Sequence, residues 1–170
     1  MSPIYAKPIP IHWKNATAFM WANSQLEGTM TYSGSCACGA VVARISGKPI
    51  ATRQCWCRQC QQVAAGGPPQ HAMFATEDVV LTGDLWTHSY VAASGNTLTH
   101  GFCPICATQV MAQSSARPQF RTVRLGFLDA GHGLSPQMAI WTEDAPDWAV
   151  LDPGMEQWPQ QPPPPAAFKD

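Results

Sequence analysis

The amino-acid sequence predicts a single, mainly-β domain stabilised by metal ions, and two observations carry that prediction. Short runs of alternating apolar and polar residues recur along the 170-residue chain, and turn residues separate them at short intervals. This pattern is typical of β-strands. The seven cysteines fall into three tight groups, which indicates metal ligation rather than disulfide bonding. A chain of this length is sufficient for one domain with its own core.

The strand candidates follow one another along the chain. The first is an alternating run that places Val41, Ala43 and Ile45 on one face. The others cover residues 71–76, 78–83, 85–93, 97–102, 108–113, 120–128 and 138–142. Few short helices are expected: one over residues 58–65, and another over residues 17–26, which Gly28 would end.

We expect the chain to be divided into three parts. Residues 1–30 show no clean period and would form an N-terminal extension, and all seven cysteines lie within residues 31–158, which would form the metal-binding domain; these bounds also follow from the family resemblance given below. Residues 159–170 are proline-rich, and we expect a flexible tail there. Only 12% of the residues are charged and 45% are apolar, which is compatible with a substrate groove or with the interface of a homodimer.

Several classes of function are excluded at this stage. Ten Lys and Arg residues against eleven Asp and Glu residues leave the chain near neutral, so we expect no nucleic-acid partner. No apolar run approaches the length needed to span a membrane. The N-terminus lacks a basic segment followed by a long apolar one, so we expect no signal peptide and a cytoplasmic location.

Two of the three cysteine groups together make a complete zinc site. Cys36 and Cys38 form a C-x-C pair, and Cys103 and Cys106 form a C-x2-C pair. Zinc prefers four tetrahedral ligands, and a tight turn can present two thiolates to one metal ion. Because the two pairs are far apart in sequence, the metal would join distant parts of the domain and contribute directly to folding. We therefore predict a structural zinc here.

The third group, Cys55, Cys57 and Cys60, is one thiolate short of a closed site. Catalytic zinc sites keep three protein ligands and one exchangeable position, so we predict a second, active zinc whose fourth ligand is water or substrate. Three thiolates make the metal a weak Lewis acid that favours a soft ligand such as a substrate thiol. A metal-free redox pair is disfavoured, because no βαβ pattern surrounds the motif. The remaining alternative is an inert second site that is completed by His71, His88 or His100.

These motifs resemble the glutathione-dependent formaldehyde-activating enzyme family, which also includes centromere protein V. The resemblance rests on "GSCACGAV", "CWCRQC", "SGNTLTHGFCPICATQV" and "PDWAVLD", and it covers about residues 32–158. It implies a tent-like stack of small antiparallel sheets with two zinc ions on the two cysteine sets above. It also implies a carbon–sulfur lyase that joins glutathione, or another thiol, to an aldehyde such as formaldehyde.

Three departures from the family pattern leave other functions open. Trp56 stands where members often carry His, and Ala107 stands where they usually carry Gly. The segment "QQVAAGGPPQH" lacks the usual Ser-Gly pair. The alternatives are a zinc enzyme of the same fold that acts on another small carbonyl compound without glutathione, and a non-catalytic zinc-binding module.

Other residues are candidates by type alone. Thiol addition to a carbonyl needs proton transfer, and His71 and His100 are the candidates for it. Arg53 and Arg58 are candidates for binding the carboxylates of a glutathione-like ligand, or for balancing thiolate charge. Trp56 would either wall a pocket or simply pack in the core.

Overall fold

The structure, a computed structural model, describes residues 31–92 and 94–163 and is built mainly from β-strands. In these ranges there are 11 strands and a single α-helix, α1, at Arg58–Val63, so the mainly-β prediction is confirmed. Short 3-10 turns occur at Thr76–Asp78, Leu125–Phe127 and Thr142–Asp144. The strands are β1 (Thr31–Ser35), β2 (Val42–Ser46), β3 (Ala51–Cys55), β4 (Gln70–Ala75), β5 (Val79–Thr82), β6 (Trp86–Val91), β7 (Thr97–Phe102), β8 (Gln109–Ser114), β9 (Phe120–Arg124), β10 (Met138–Ile140) and β11 (Glu156–Trp158).

The strands form two sheets. β1, β2 and β5 make a three-stranded antiparallel sheet in the order β1-β2-β5. The other eight strands form one sheet in the order β11-β10-β3-β4-β9-β8-β7-β6. Its pairings are antiparallel except at one end, where β10 runs parallel to both β3 and β11. Antiparallel sheets were predicted, so the parallel pairings of β10 differ from that prediction.

Most of the predicted strands begin and end close to the predicted residues. The bounds of β7 are the same as those predicted. β1, β3 and β11 were not predicted. In β3, four consecutive residues from Thr52 to Cys55 are buried, so the strand carries no alternating pattern. The predicted strand 120–128 is too long: β9 ends at Arg124, and the 3-10 turn that follows buries both Leu125 and Phe127. The predicted helix at 17–26 lies outside the described residues.

The core lies between the two sheets. Tyr32, Ile45, Phe74, Val123 and Phe127 are buried there in one cluster with smaller apolar side chains. The rings of Tyr32 on β1 and Phe74 on β4 join the two sheets, with centroids 5.6 Å apart. Burial of each large apolar side chain contributes about 1.5–3 kcal/mol, so this interface is the main apolar contribution to folding. One face of the eight-stranded sheet is thereby covered, and the other face is left to form a site.

The C-terminal segment continues past β11 along the eight-stranded sheet. Within the described residues, Pro159 and Gln160 accept backbone hydrogen bonds from Glu143 and Trp141. The division into residues 1–30, 31–158 and 159–170 stays a prediction. In the part of the chain that the structure describes, no helix combines the length and the apolar character needed to cross a bilayer.

Candidate metal centres and active-site cavity

The four cysteines expected to form a closed site are brought together. Cys36 and Cys38 follow β1, Cys103 and Cys106 follow β7, and their sulfur atoms all lie within 4.8 Å of one another. The Sγ–Sγ distance is 3.5 Å between Cys36 and Cys38, and 3.7 Å between Cys38 and Cys103. Zinc–sulfur bonds of about 2.3 Å in a tetrahedron require sulfur atoms about 3.8 Å apart. The four thiols therefore fit a single metal ion that joins the two sheets.

Two backbone turns hold these thiols in place. In the first, the backbone amide of Val41 donates a hydrogen bond of 3.2 Å to Cys36 Sγ. In the second, the backbone amide of Ala107 donates to the carbonyl of Cys103 over 2.9 Å. Ala107 adopts a left-handed φ of 58°, a conformation that favours glycine. Glycine at this position would adopt the same turn without the steric cost of a Cβ atom.

Thr108 connects the two turns, and sequence reasoning missed it. Its hydroxyl oxygen accepts a hydrogen bond of 3.2 Å from the backbone amide of Ala37. The same hydroxyl lies 3.2 Å from Cys106 Sγ. A single threonine after a C-x2-C pair carries no sequence signal of this role, because its partner lies in the distant C-x-C turn.

Cys55, Cys57 and Cys60 also converge, with sulfur atoms within 4.8 Å of one another. Cys55 ends β3, Cys57 directly precedes α1, and Cys60 lies in the first turn of that helix. The helix begins with a 3.0 Å hydrogen bond from the amide of Gln61 to the carbonyl of Cys57. No described His, Asp or Glu joins the three thiols within the same distance. The structure thus does not place His71, His88 or His100 as a fourth ligand.

The three thiols interact through hydrogen bonds. Hydrogen bonds from Cys55 and Cys60 lower the pKa of the Cys57 thiol to about 3. Hydrogen bonds to Cys57 and Cys60 raise the pKa of the Cys55 thiol. Cys57 is therefore the most acidic of the three thiols. This donor set is soft and electron-rich, and it fits a thiophilic metal such as zinc.

A cavity of about 280 Å³ opens onto this cluster, on the face of the eight-stranded sheet opposite the core. All three cysteines line it, and so do His71, Tyr90 and His100. Three arginines also line it: Arg53, Arg117 and Arg124. Among the described residues, no Asp or Glu contributes to its wall.

The register of the strands aligns three buried polar residues in this wall. Arg53 on β3 is paired with His71 on β4, which is paired with Arg124 on β9. Directly paired residues share one face of a sheet, so the three side chains lie in a row. A guanidinium nitrogen of Arg124 donates to His71 Nδ1 over 3.3 Å. Burial and the charges of Arg124 and Arg53 hold the pKa of His71 well below its usual value, so His71 is neutral at pH 7.

His100 is the other buried histidine of the cavity, with a side chain only 1% exposed. The side-chain amide nitrogen of Gln109 lies 3.2 Å from Nδ1 of His100. An amide nitrogen only donates hydrogen bonds, so Nδ1 is the acceptor. The proton of the imidazole is therefore assigned to Nε2, which has no hydrogen-bond partner among the described residues. Burial, followed by the charge of Arg124, lowers the pKa of His100 to about 4. The ring of Tyr90 packs edge-on against it, with centroids 5.5 Å apart.

Other sequence candidates lie away from the cavity. His88 is on the exposed strand β6 and is not among the lining residues. Arg58 is exposed and hydrogen-bonds Gln61 Oε1 over 3.4 Å. Trp56 is buried and packs edge-on against Trp148, with ring centroids 6.2 Å apart. Of the two roles weighed for Trp56, the structure supports packing.

Gln61 is a positioning residue that the sequence did not reveal. It is buried, and its amide nitrogen donates to the carbonyl of Trp56 over 2.5 Å and to the carbonyl of Asp144 over 2.8 Å. These bonds fix the helix that carries Cys60 against the segment "DAPDW". The closing segment of the domain therefore helps to orient the three-cysteine cluster.

Comparison with known proteins identifies a family and related chains. Residues 31–144 match the family model described as glutathione-dependent formaldehyde-activating enzyme. A protein of Halomonas elongata that carries the name of such an enzyme is 27% identical over 129 residues, covering 72% of this chain and 82% of its own. A crystal structure of a Rhodobacter sphaeroides protein aligns with a TM-score of 0.49 and 20% identity, over 74% of this chain and 98% of that one. The family match spans most of the chain and confirms the resemblance seen in its motifs: the protein belongs to the glutathione-dependent formaldehyde-activating enzyme family.

Proposed function

We propose that this protein adds a thiol to a small carbonyl compound, and reverses that addition, at a zinc ion held by Cys55, Cys57 and Cys60. One observation carries the proposal: three convergent thiols open onto a cavity, and no fourth described side chain completes the set. The name of the family supports glutathione and formaldehyde as the thiol and the carbonyl. We further propose that Cys36, Cys38, Cys103 and Cys106 hold a second, structural zinc.

In the proposed site the cysteines bind the metal ion, and the arginines balance negative charge. Cys55, Cys57 and Cys60 would hold the zinc ion, which when bound would supply an exchangeable position and lower the pKa of a thiol there towards neutral pH. Cys55, Cys57 and Cys60 bias that position towards sulfur through their softness. Burial lowers the pKa of both Arg53 and Arg124, and the charge of nearby cysteines opposes that effect. The two guanidinium groups would therefore offset part of the negative charge of the sulfur atoms.

The proposed reaction needs neither an oxidant nor a reductant. A bond forms between the sulfur of the thiol and the carbonyl carbon, and the π electron pair of the carbonyl moves to its oxygen. The proton released by the thiol ends on that oxygen, giving a hemithioacetal.

Exchange spectroscopy by nuclear magnetic resonance tests the proposal, because glutathione and formaldehyde also combine spontaneously. The wild-type protein should increase the exchange rate between ¹³C-formaldehyde and its glutathione adduct. Cys57→Ala should return that rate to the spontaneous one, whereas Thr87→Ala, at an exposed position on β6, should not. An unchanged rate in Cys57→Ala, or no acceleration with any pair of small thiol and small aldehyde, would contradict it.

A further inference from the structure

The cavity beside the three cysteines has an excess of positive charge. Arg53, Arg117 and Arg124 line it, and no described carboxylate does. Arg53 is 7% exposed and Arg124 is 6% exposed. Buried arginines are normally paired with an anion, because an unpaired charge is costly away from water. In the described wall of this site the only anionic neighbours of the two buried arginines are the cysteine sulfurs, and no carboxylate is paired with either arginine.

The hydrogen-bonding capacity of the two buried guanidinium groups is also largely unused. Each group has five N–H donors. Arg53 donates to the sulfur of Met73 over 3.5 Å, and Arg124 donates to the neutral ring of His71 over 3.3 Å. The Nε atoms of both arginines have no partner among the described residues. A thioether and an imidazole are poor substitutes for the paired oxygen atoms that a guanidinium group binds best.

Charge balance leaves room for one more anion, even with a thiol substrate present. One zinc ion with three thiolates has a net charge of −1, and a substrate thiolate brings it to −2. The three arginines contribute three positive charges, and His71 and His100 are neutral because their pKa values are lowered. One positive charge therefore remains, and a single carboxylate would neutralise it.

We propose that Arg53 and Arg124 bind the carboxylate of a substrate beside the three-cysteine cluster. The proposal rests on the function proposed above and names its substrate class. Two sources of that carboxylate are chemically equivalent: the carbonyl substrate and glutathione itself. Their geometry differs, however, because the carboxylates of glutathione lie several bonds from its sulfur.

The position of Arg53 on the same strand as Cys55 favours the carbonyl substrate as the source. Arg53 and Cys55 are two residues apart on β3 and both line the cavity, which places their backbones about 7 Å apart. A carboxylate held by Arg53 therefore shares one cavity with the sulfur atoms. A small 2-oxo acid such as glyoxylate carries its carboxylate next to the reacting carbon and fits this spacing. Thiol addition then proceeds as above, with the carboxylate unchanged.

Binding can be tested without turnover, on the full-length, zinc-loaded protein. The probe is glycolate, the unreactive alcohol related to glyoxylate, and ethylene glycol is its uncharged counterpart. Calorimetry should show that glycolate binds and that ethylene glycol does not. Arg53→Met and Arg124→Met should each weaken glycolate binding about tenfold or more. Arg44→Met, at an exposed position on β2, is the matched control and should have no effect.

A second probe identifies the source of the carboxylate. S-Methylglutathione has both carboxylates of glutathione and no thiol. One outcome is that the wild type binds S-methylglutathione but not glycolate, and that both arginine variants fail to bind S-methylglutathione. This result would support the carboxylate site and identify glutathione as the source of the carboxylate. Unchanged affinity for both probes in the variants, or binding of neither probe by the wild type, would overturn the proposal.

Two further readouts keep the test decisive. If the methionine variants do not fold, Arg53→Lys and Arg124→Lys keep the charge but not the paired donors, and they should bind glycolate more weakly than wild type. If these also fail to fold, glycolate should still raise the melting temperature of the wild type while ethylene glycol does not, and equal melting temperatures would overturn the proposal. Glycolate binding without any thiol-adding activity would count against the proposed function alone.

Discussion

Arg124 on β9 donates a hydrogen bond of 3.3 Å to Nδ1 of His71 on β4. A guanidinium group only donates, so Nδ1 accepts and the imidazole proton is assigned to Nε2. Arg53 is paired with His71 on the other side, and the histidine therefore lies between two cations that oppose its protonation. The wall beneath the three-cysteine cluster is thus positively charged by the arginines and not by the histidine.

The buried histidine His100 should make stability depend on pH. Its pKa is about 4 in the folded protein and about 6.5 in an unfolded chain. Because the unfolded chain binds the proton more readily, this contribution is complete above pH 6.5 and is lost as the pH falls towards 4. At about 1.4 kcal/mol per pKa unit, the loss is about 3 kcal/mol.

Urea denaturation across this pH interval measures the effect. His100→Gln removes the titrating group, so its free energy of unfolding should fall less steeply than that of the wild type. Metal ligands are the same in both proteins, which cancels the pH dependence of metal binding. Identical slopes for the two proteins would show that His100 is not the group responsible.

Ala107→Gly should stabilise the protein. The left-handed φ of 58° at Ala107 destabilises the folded state by about 1–2 kcal/mol, because the residue has a Cβ atom. Glycine removes this cost, but it also makes the unfolded chain more flexible, which lowers the free energy of unfolding by about 0.4–1 kcal/mol. We expect a net gain of about 0.5–1 kcal/mol in the free energy of unfolding. Ala116, which is exposed and has no left-handed φ, is the control, and its change to glycine should be destabilising. A loss of stability in Ala107→Gly would contradict the strain assigned to this turn.

The two cysteine sets should respond differently to substitution. Cys36→Ala or Cys103→Ala removes a ligand that joins the two sheets, so each variant should unfold or lose that metal, because binding of a structural zinc is part of the folding free energy. Cys57→Ala should retain the fold, since its cluster lies on the side of the large sheet away from the core. Metal analysis with thermal unfolding checks both. A Cys36→Ala protein that keeps two zinc ions and its melting temperature would refute the structural assignment.

Mild chelation should remove the two metals in a fixed order. A site with three protein ligands and an exchangeable position is held less firmly than one with four thiolates, so zinc should leave Cys55, Cys57 and Cys60 first. Stepwise chelator titration, with metal counting and a spectroscopic measure of folding, follows the order. Removal of the first equivalent of zinc should leave the fold intact. If the protein unfolds when the first equivalent is removed, the structural and active assignments of the two sites would have to be exchanged.

The cysteine groups could be predicted from the sequence because each has a short, local spacing. The spacings C-x-C, C-x-C-x2-C and C-x2-C each bring thiols together within a single turn, and the structure gathers the same two sets. Strands with one buried face were predictable from their alternation. β1 has only one large apolar residue, Tyr32, and β3 has four consecutive buried residues from Thr52 to Cys55, so neither sequence shows the alternation that marks a strand.

The polar wall of the cavity was much less predictable, because it depends on strand pairing. Arg124 follows the buried Val123 on β9, and a charged residue next to a core position in a strand is expected to face solvent. Only the pairing of β9 with β4 places it beside His71. Arg53 and Arg58 were the arginine candidates because they lie near the cysteines in sequence; Arg53 lines the cavity, whereas Arg58 is exposed on α1. Residue type alone could not show which of His88 and His100 is buried. His88 is exposed because β6 is at the edge of the sheet, whereas β7, which carries His100, has a strand on each side.

Cobalt substitution tests most directly whether a thiol ligand enters the three-cysteine site. Cobalt–thiolate absorption reports the ligand set, and Cys57→Ala provides the background of the four-cysteine site. We expect glutathione to change the bands of the wild type and leave those of Cys57→Ala unchanged, while S-methylglutathione changes neither. Calorimetry in buffers of different ionisation enthalpy should count about one released proton per glutathione bound at neutral pH. Unchanged bands and no proton release with any small thiol would contradict thiol ligation at Cys55, Cys57 and Cys60.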